Sequence, residues 1–322
     1  MRRIIRQITS IIQHFNDSMV VTHGSRASAW GRATLTIGNF DGLHRGHRAL
    51  IERVVAKGGE LQVPSAVLTF EPHPREFFAP ERAPARLTRL RDKLELLAAT
   101  GIERVHLIRF DARFAAMSAT RFIEDILVRM LGIRWLLVGR DFRFGAQRQG
   151  DFAALERAAG QFNFALEAMP DVSFDGERVS SSGVRAALAA GDFACAERLL
   201  GRPYTITGKV VPGARLGREL GFPTANIPLA QRPPLAGIYV VEVEELGRGV
   251  ASIGRRPTVN PVPRPLLEVH LFDWHGDLYG RRLHVRFLRK LRDEAKYADL
   301  SALREAIARD AAQAREYFAQ HV

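Results

Sequence analysis

Residues 36–47 read TIGNFDGLHRGH and set His44 and His47 three apart behind an apolar strand, punctuated by Gly38, Gly42 and Gly46. Two imidazoles at i and i+3 share one face of a helix's opening turn. That turn also presents unpaired backbone N–H groups and the positive end of the helix dipole. Glycines let a ligand approach the backbone closely, so the set forms an anion site suited to a polyphosphate. The rival readings are a Zn2+ site, for which no third ligand has matching spacing, and a solvated pair. The glycines and the strand exit favour the anion.

A second cluster lies in PGARLGRELGFPTAN, where Gly213, Gly217 and Gly221 precede Pro223, Thr224 and Asn226. Such a loop can wrap phosphates with its N–H groups, and the Thr224 hydroxyl suits Mg2+ or a phosphate. No Gly-x-x-x-x-Gly-Lys-[Ser/Thr] occurs, which excludes the common P-loop. In LLEVHLFDW, Leu267, Val269 and Leu271 alternate with Glu268, His270 and Phe272. Glu268 therefore faces away from the apolar set, as a solvated strand carboxylate or as a base. EPHP, with His73, either stiffens a strand exit or contributes to a site, and Asp141 in GRDFRFG is either a turn residue or a ligand.

These residues need elements to position them. From about 34 to 185, short apolar runs (TLTI, AVLTF, VHLI, WLLVG) alternate with helical patterns, one carrying His47, Leu50, Ile51 and Val54 on a face. That rhythm predicts a parallel sheet with helices on both faces, and ligands beyond the carboxyl ends of its strands. GNFDG, EPHP and GRDFRFG all fall at such ends. From about 203 the pattern is strands and turns, followed by a helix with Leu300, Leu303, Ile307, Ala311, Ala314 and Phe318 at helical spacing. A small antiparallel barrel or sandwich with a covering helix is expected there. A helix starting near Gly183 ends at Gly201 and Pro203. The expected division is an extension over 1–18, with Met19 an alternative start, then domains over 19–200 and 201–322.

The two motif sets resemble the prokaryotic bifunctional riboflavin kinase/FAD synthetase family over roughly residues 20 to 322. GNFDGLHRGH resembles the His-x-Gly-His signature of nucleotidylyltransferases, and LTFEPHP, LVGRDFRFG, RQGD and VSSSGVRAAL follow in the family's order. GFPTAN resembles the nucleotide-binding motif of riboflavin kinases, and IGRRPTV (253–259), DLYG (277–280) and LRDEAKY (291–297) continue it. Ser182, Arg140, Ser252 and Tyr297 depart from the usual residues.

The resemblance implies an α/β N-terminal nucleotidylyltransferase domain with a Rossmann-like parallel sheet, and a C-terminal riboflavin-kinase-type antiparallel β-barrel with a terminal helix. It implies riboflavin phosphorylation to FMN, then adenylyl transfer from ATP to FMN, giving FAD and pyrophosphate. FMN phosphate is already ionised near neutral pH, so alignment and charge stabilisation are the tasks there. On this reading His44 and His47 contact the ATP phosphates, with Gly38, Asn39, Phe40 and Asp41 beside the same nucleotide. Ser181, Ser182 and Arg185 hold its β- and γ-phosphates, and Asp141 orients Mg2+ or the flavin phosphate. In the kinase, Gly213, Gly217, Gly221, Thr224 and Asn226 bind ATP, and Thr224 and Asn226 ligate Mg2+. Glu268 accepts the proton of the ribityl 5′-hydroxyl.

Bulk composition is compatible with all of this. The 322 residues are 46% hydrophobic and 25% charged, enough for two cored domains and unlike a disordered chain. One cysteine, Cys195, excludes an internal disulfide, and no apolar run approaches a membrane span. A cytoplasmic protein acting on small molecules, monomeric or weakly self-associating, is expected. The formal charge of +12, with only five lysines, raises RNA binding as an alternative. The arginines are spread along the chain without a basic tail, which favours phosphate-bearing small molecules. A chain with one inactive module is the other alternative.

Overall fold

A computed structural model describes residues 19–24, 31–170, 173–174, 176–213, 216–255 and 265–321. The expected extension, 1–18, and the 256–259 part of IGRRPTV lie outside them. Two compact units are present. One runs to Pro84 and resumes over Leu90–Val179, and the other combines Ala85–Arg89 with the chain from Ser180 onward.

The first unit contains strands β1 (Val20–His23), β2 (Ala33–Ile37), β3 (Ser65–Glu71), β4 (Arg104–Arg109), β5 (Ile133–Gly139) and β6 (Ala165–Met169). They form one sheet in the order β1-β4-β3-β2-β5-β6, with every neighbouring pair parallel. Helices α1 (Arg45–Leu61), α2 (Leu90–Ala98), α3 (Phe122–Met130) and α4 (Phe152–Phe162) supply its crossovers. Both faces are covered, so WLLV is apolar throughout, and in TLTI the threonines Thr34 and Thr36 are buried as fully as Leu35. Leu136 packs with Leu35, Ile126 and Leu155 on one face, and Leu137 with Ile51, Val54 and Leu97 on the other. Strand order reverses at β2: the chain moves one way to β3 and β4, then crosses back to β5. The crevice at the carboxyl ends of β2 and β5 is the switch point where such sheets bind ligands. α3 differs from the expected α-helix. It is a π-helix, with Leu131 N–H donating to Ile126 O, and Phe122, Ile123, Ile126, Leu127 and Met130 buried.

A small hairpin, β7 (Ser173–Phe174) and β8 (Glu177–Arg178), closes that unit's described chain. The single helix expected from Gly183 is instead two, α5 (Ser181–Ala190) and α6 (Phe193–Leu200). Gly191, at φ +78°, ends the first in the left-handed region, and the Asp192 carboxylate caps the second by accepting from Cys195 N–H at 2.8 Å. Both belong to the second unit. Phe193 of α6 packs edge-on against Tyr239, with ring centroids 5.9 Å apart.

That unit's strands are β9 (Thr205–Lys209), β10 (Ala225–Pro228), β11 (Gly237–Val243), β12 (Gly247–Arg255), β13 (Pro265–Leu271) and β14 (Arg282–Arg292). They are antiparallel in the order β10-β13-β12-β11-β14-β9, and a bridge between Val211 and Asn226 draws the ends into a nearly closed barrel. Helix α7 (Leu300–Gln320) covers an outer face by packing Ala311, Ala314 and Phe318 on Val240, Val250 and Phe272. Leu300, assigned to the apolar stripe from sequence, is 57% exposed.

His106, on β4, is fully buried and hydrogen-bonded to Thr22 Oγ1 at 2.7 Å. Burial lowers its pKa from 6.5 to about 4. Below pH 6.5 the unfolded chain takes up a proton that the folded chain refuses until about pH 4. Stability is therefore complete above pH 6.5 and falls across that window, by up to about 3 kcal/mol. Urea denaturation at pH 7 and pH 4.5 should show a smaller acid loss in His106→Gln than in the parent.

Candidate active sites

The turn from β2 into α1 is built from conformations that side chains avoid. Phe40, Gly42 and Leu43 have φ of +48°, +86° and +40°. Only Gly42 adopts such a value at no steric cost, so packing must hold the other two. Phe40 and Leu43 are buried in the cluster that contains Ile51 and Val54 of α1. The turn ends on His44, which is not inside the helix but is its N-cap, with Nδ1 accepting from His47 N–H at 3.3 Å. The two imidazoles stack, centroids 3.7 Å apart and 16° from parallel. Gly46 permits this, because a Cβ there would meet the His44 ring at 3.2 Å. Asp41 is also buried. The sequence thus placed both histidines correctly at the opening of a helix, but assigned no capping role to the first.

Beside this turn, at the carboxyl ends of β2 and β5, lies a cavity of about 1080 Å³ that Gly38, Asn39, His73 and Asp141 help to line. His73 is buried and caps a short helix, Pro74–Phe78. Its Nδ1 accepts from Arg75 N–H at 3.1 Å, and its own N–H donates to Glu76 Oε2 at 3.2 Å. Asp141 sits exposed on the rim, 4.0 Å from the Arg178 guanidinium. Arg140 turns aside to cover the Phe152 ring at 5.6 Å. Eight phenylalanines stand in its wall, which sequence reasoning missed. Phe110 meets Phe70, Phe77, Phe78 and Phe114 with centroids 5.5–5.9 Å apart at steep angles. The signal was present as the phenylalanines of HPREFF, RFDARF and DFRF, each just beyond a strand end.

Ser181, Ser182 and Arg185 open α5 in the second unit. The capping hydroxyl is that of Ser180, which accepts from Gly183 N–H at 3.1 Å, and Arg185 Nε donates to Ala85 O at 2.7 Å.

In the barrel, strand register makes a polar row. Glu268 on β13 lies opposite Asn226 on β10 and Ser252 on β12, so all three point to the same side of the sheet. A cavity of about 250 Å³ opens there, lined by Gly217, Thr224, Ser252, Glu268 and His270, and walled by Arg292, Glu294 and Ile307. Glu268 is therefore not a carboxylate in bulk solvent. Asn226 is buried, and its Oδ1 has no hydrogen-bond partner, while Nδ2 donates to Thr224 O at 3.3 Å. Gly217 lies tight under this loop: a Cβ would meet Phe222 O at 2.5 Å and Thr224 Oγ1 at 3.3 Å. A Cβ at Gly213 would collide with the Asn226 amide, whereas Gly221, at φ +89°, has open space around it. His270, given no role from sequence, also lines the cavity, with Nδ1 2.9 Å from Pro223 O. Glu294 is a further missed residue. Burial, and next the charge of Glu268, raise its pKa. Among the described residues, no three His, Cys, Asp or Glu side chains gather to hold a metal ion.

Two family models match the chain, FAD synthetase over residues 26–183 and riboflavin kinase over residues 200–318. An Escherichia coli K12 protein described as a bifunctional riboflavin kinase/FMN adenylyltransferase is 50% identical over 289 residues, covering 88% of this chain and 92% of that one. A Pseudomonas fluorescens protein of the same description is 51% identical over 284 residues, covering 87% and 91%. A solved Streptococcus pneumoniae structure, described as a macrolide-efflux protein, superposes with a TM-score of 0.74 at 27% identity, covering 91% of this chain and 97% of that one. In the present chain, no helix among the described residues is long and apolar enough to cross a membrane.

The cap role of His44 can be separated from any chemistry. His44→Ala should lower stability by about 1 kcal/mol, as loss of an N-cap does, and His44→Asn should restore most of it. Equilibrium urea unfolding of the three proteins measures both differences.

Proposed function

This chain belongs to the bifunctional riboflavin kinase/FMN adenylyltransferase family, and from that premise we propose how its residues divide the two reactions. The enzyme phosphorylates riboflavin to FMN and transfers the adenylyl group of ATP to FMN, yielding FAD and pyrophosphate.

For phosphorylation, the supporting observation is the register row Asn226–Glu268–Ser252, of which Glu268 and Ser252 line the barrel cavity together with Thr224. Glu268 accepts the proton of the ribityl 5′-hydroxyl as that oxygen attacks the γ-phosphorus of ATP. The loop containing Gly213 and Gly217 holds the phosphates close to backbone, since a Cβ at the first would strike the Asn226 amide and one at the second Phe222 O. A divalent cation fits the donors at hand: the Thr224 hydroxyl and the unpartnered, buried Asn226 Oδ1 are hard oxygens of the kind Mg2+ takes. Bound there, it would neutralise charge on the β- and γ-phosphates.

For adenylyl transfer, the supporting observation is the stacked His44–His47 pair at the start of α1, beside the sheet's switch point. His44 commits Nδ1 to the helix cap, so its contact with phosphate falls to Nε2. His47 and the first-turn N–H groups meet charge developing on the leaving pyrophosphate. The phenylalanine-walled cavity accommodates a flat aromatic ring system by edge and face contacts, which suits the isoalloxazine of FMN. Asn39 and Asp141 lie on its lining, with Gly38 between strand and turn. Phe40 and Asp41 shape the turn from inside. The contribution of Ser181, Ser182 and Arg185 to this reaction rests on the sequence resemblance.

Purified protein, supplied with riboflavin, ATP and Mg2+, should form FMN first and FAD afterwards on a chromatographic time course. Glu268→Gln should slow FMN formation about a hundredfold or more while supplied FMN is still converted to FAD. His47→Ala should do the reverse. A folded variant that lost both activities would overturn the two-site division. Asn226→Ala should raise the Mg2+ concentration needed for half-maximal FMN formation about tenfold, with FAD formation unchanged.

A further inference from the structure

The wall facing Glu268 comes from one continuous stretch, the end of β14 and the first turns of α7. It supplies Arg292, Glu294, Tyr297, Leu303, Ile307 and Asp310 to the kinase cavity. A guanidinium in such a place looks like a phosphate ligand, but its donors are already committed. Arg292 Nε donates to Asp310 Oδ1 at 2.8 Å and a terminal nitrogen to Asp310 Oδ2 at 2.5 Å, while its other terminal nitrogen donates to Asp293 O at 2.9 Å. Asp310 is only 5% exposed, so its charge depends on this forked pair. The same guanidinium lies 5.9 Å from the Tyr297 ring. Glu294, two residues on, folds its carboxylate against Gly254 of β12, the strand that carries Ser252.

We propose that the Arg292–Asp310 pair is a positioning device for riboflavin. It ties the 292–297 segment to α7 and so fixes the wall against which the body of the acceptor lies, opposite the base. This rests on the assignment of the cavity to riboflavin phosphorylation with Glu268 as its base. Neither Arg292 nor Asp310 touches the reacting atoms. The pair contributes binding that is equal in ground and transition states, so its loss weakens riboflavin affinity more than turnover.

The test is the kinetics of FMN formation by the full chain. Asp310→Asn keeps the volume but removes the charge, and Arg292→Lys keeps the charge but cannot make the fork. Each should raise KM for riboflavin about tenfold, with KM for ATP and kcat changed no more than about twofold. FAD formation from supplied FMN should stay at the parent rate in both, and the unchanged kcat for FMN formation is the control on folding of the barrel. If Asp310→Asn does not fold, Arg292→Lys alone decides. A riboflavin KM within about twofold of the parent, or a fall in kcat with KM unchanged, overturns the proposal and leaves the pair a plain brace. Glu268→Gln, assayed alongside, keeps the two readings apart. If it still makes FMN, the assignment of the base fails, whatever the riboflavin KM of the other variants.

Discussion

The first unit depends on a backbone that would be unfavourable in isolation. Left-handed conformations at Phe40 and Leu43 cost on the order of 1–3 kcal/mol each. Complete burial of both side chains returns a similar amount, about 1.5–3 kcal/mol apiece, so the turn persists because the core over-determines it. What that balance achieves is direction. The chain leaves β2 and re-enters as α1 within a few residues, and the helix starts on a histidine rather than on the serine or aspartate that capping alone would favour. Packing of Phe40 and Leu43 in the core thereby holds two stacked imidazoles and a helix N-terminus at the sheet's switch point.

The barrel solves its positioning problem by register instead. In an antiparallel sheet, residues directly opposite share a face, and a one-residue slip would send Glu268 to the interior and Leu267 or Val269 outward. Burying Leu267 and Val269 forbids that slip, so the apolar face of β13 is what keeps Glu268 beside Asn226 and Ser252. The polar row is a by-product of hydrophobic pairing on the other side of the strand.

These two mechanisms explain what could be read from sequence. Period-2 alternation made the side of Glu268 legible, and unbroken apolar runs separated by helical patterns made the parallel sheet legible. The motifs marked both candidate sites through glycines such as Gly46, where a Cβ would crowd the His44 ring, and Gly217, where it would collide with backbone. Properties that depend on residues distant in sequence were not legible. The Phe110-centred wall collects phenylalanines from β3 and from the segments that follow β3 and β4, and the Arg292–Asp310 fork joins a strand end to a helix that periodicity described only as apolar. The break at Gly191 was readable in principle, since a Gly-Asp pair is an ordinary helix stop followed by a start. A continuous run of good helix formers on either side obscured it.

The excess of arginine over lysine has a physical use that needs no polyanionic partner. Guanidinium planes cover the rings of Phe174 (by Arg45, 4.4 Å), Phe318 (by Arg248, 4.9 Å) and Phe272 (by Arg315, 4.3 Å). Arg315 also forks onto Asp273 at 3.0 and 3.1 Å. A lysine could supply charge at these positions but neither the flat stacking surface nor the paired donors. Two of these rings, Phe272 and Phe318, belong to the layer by which α7 covers the barrel. The arginines there shield apolar surface at the seam on which α7, and with it Asp310, is carried.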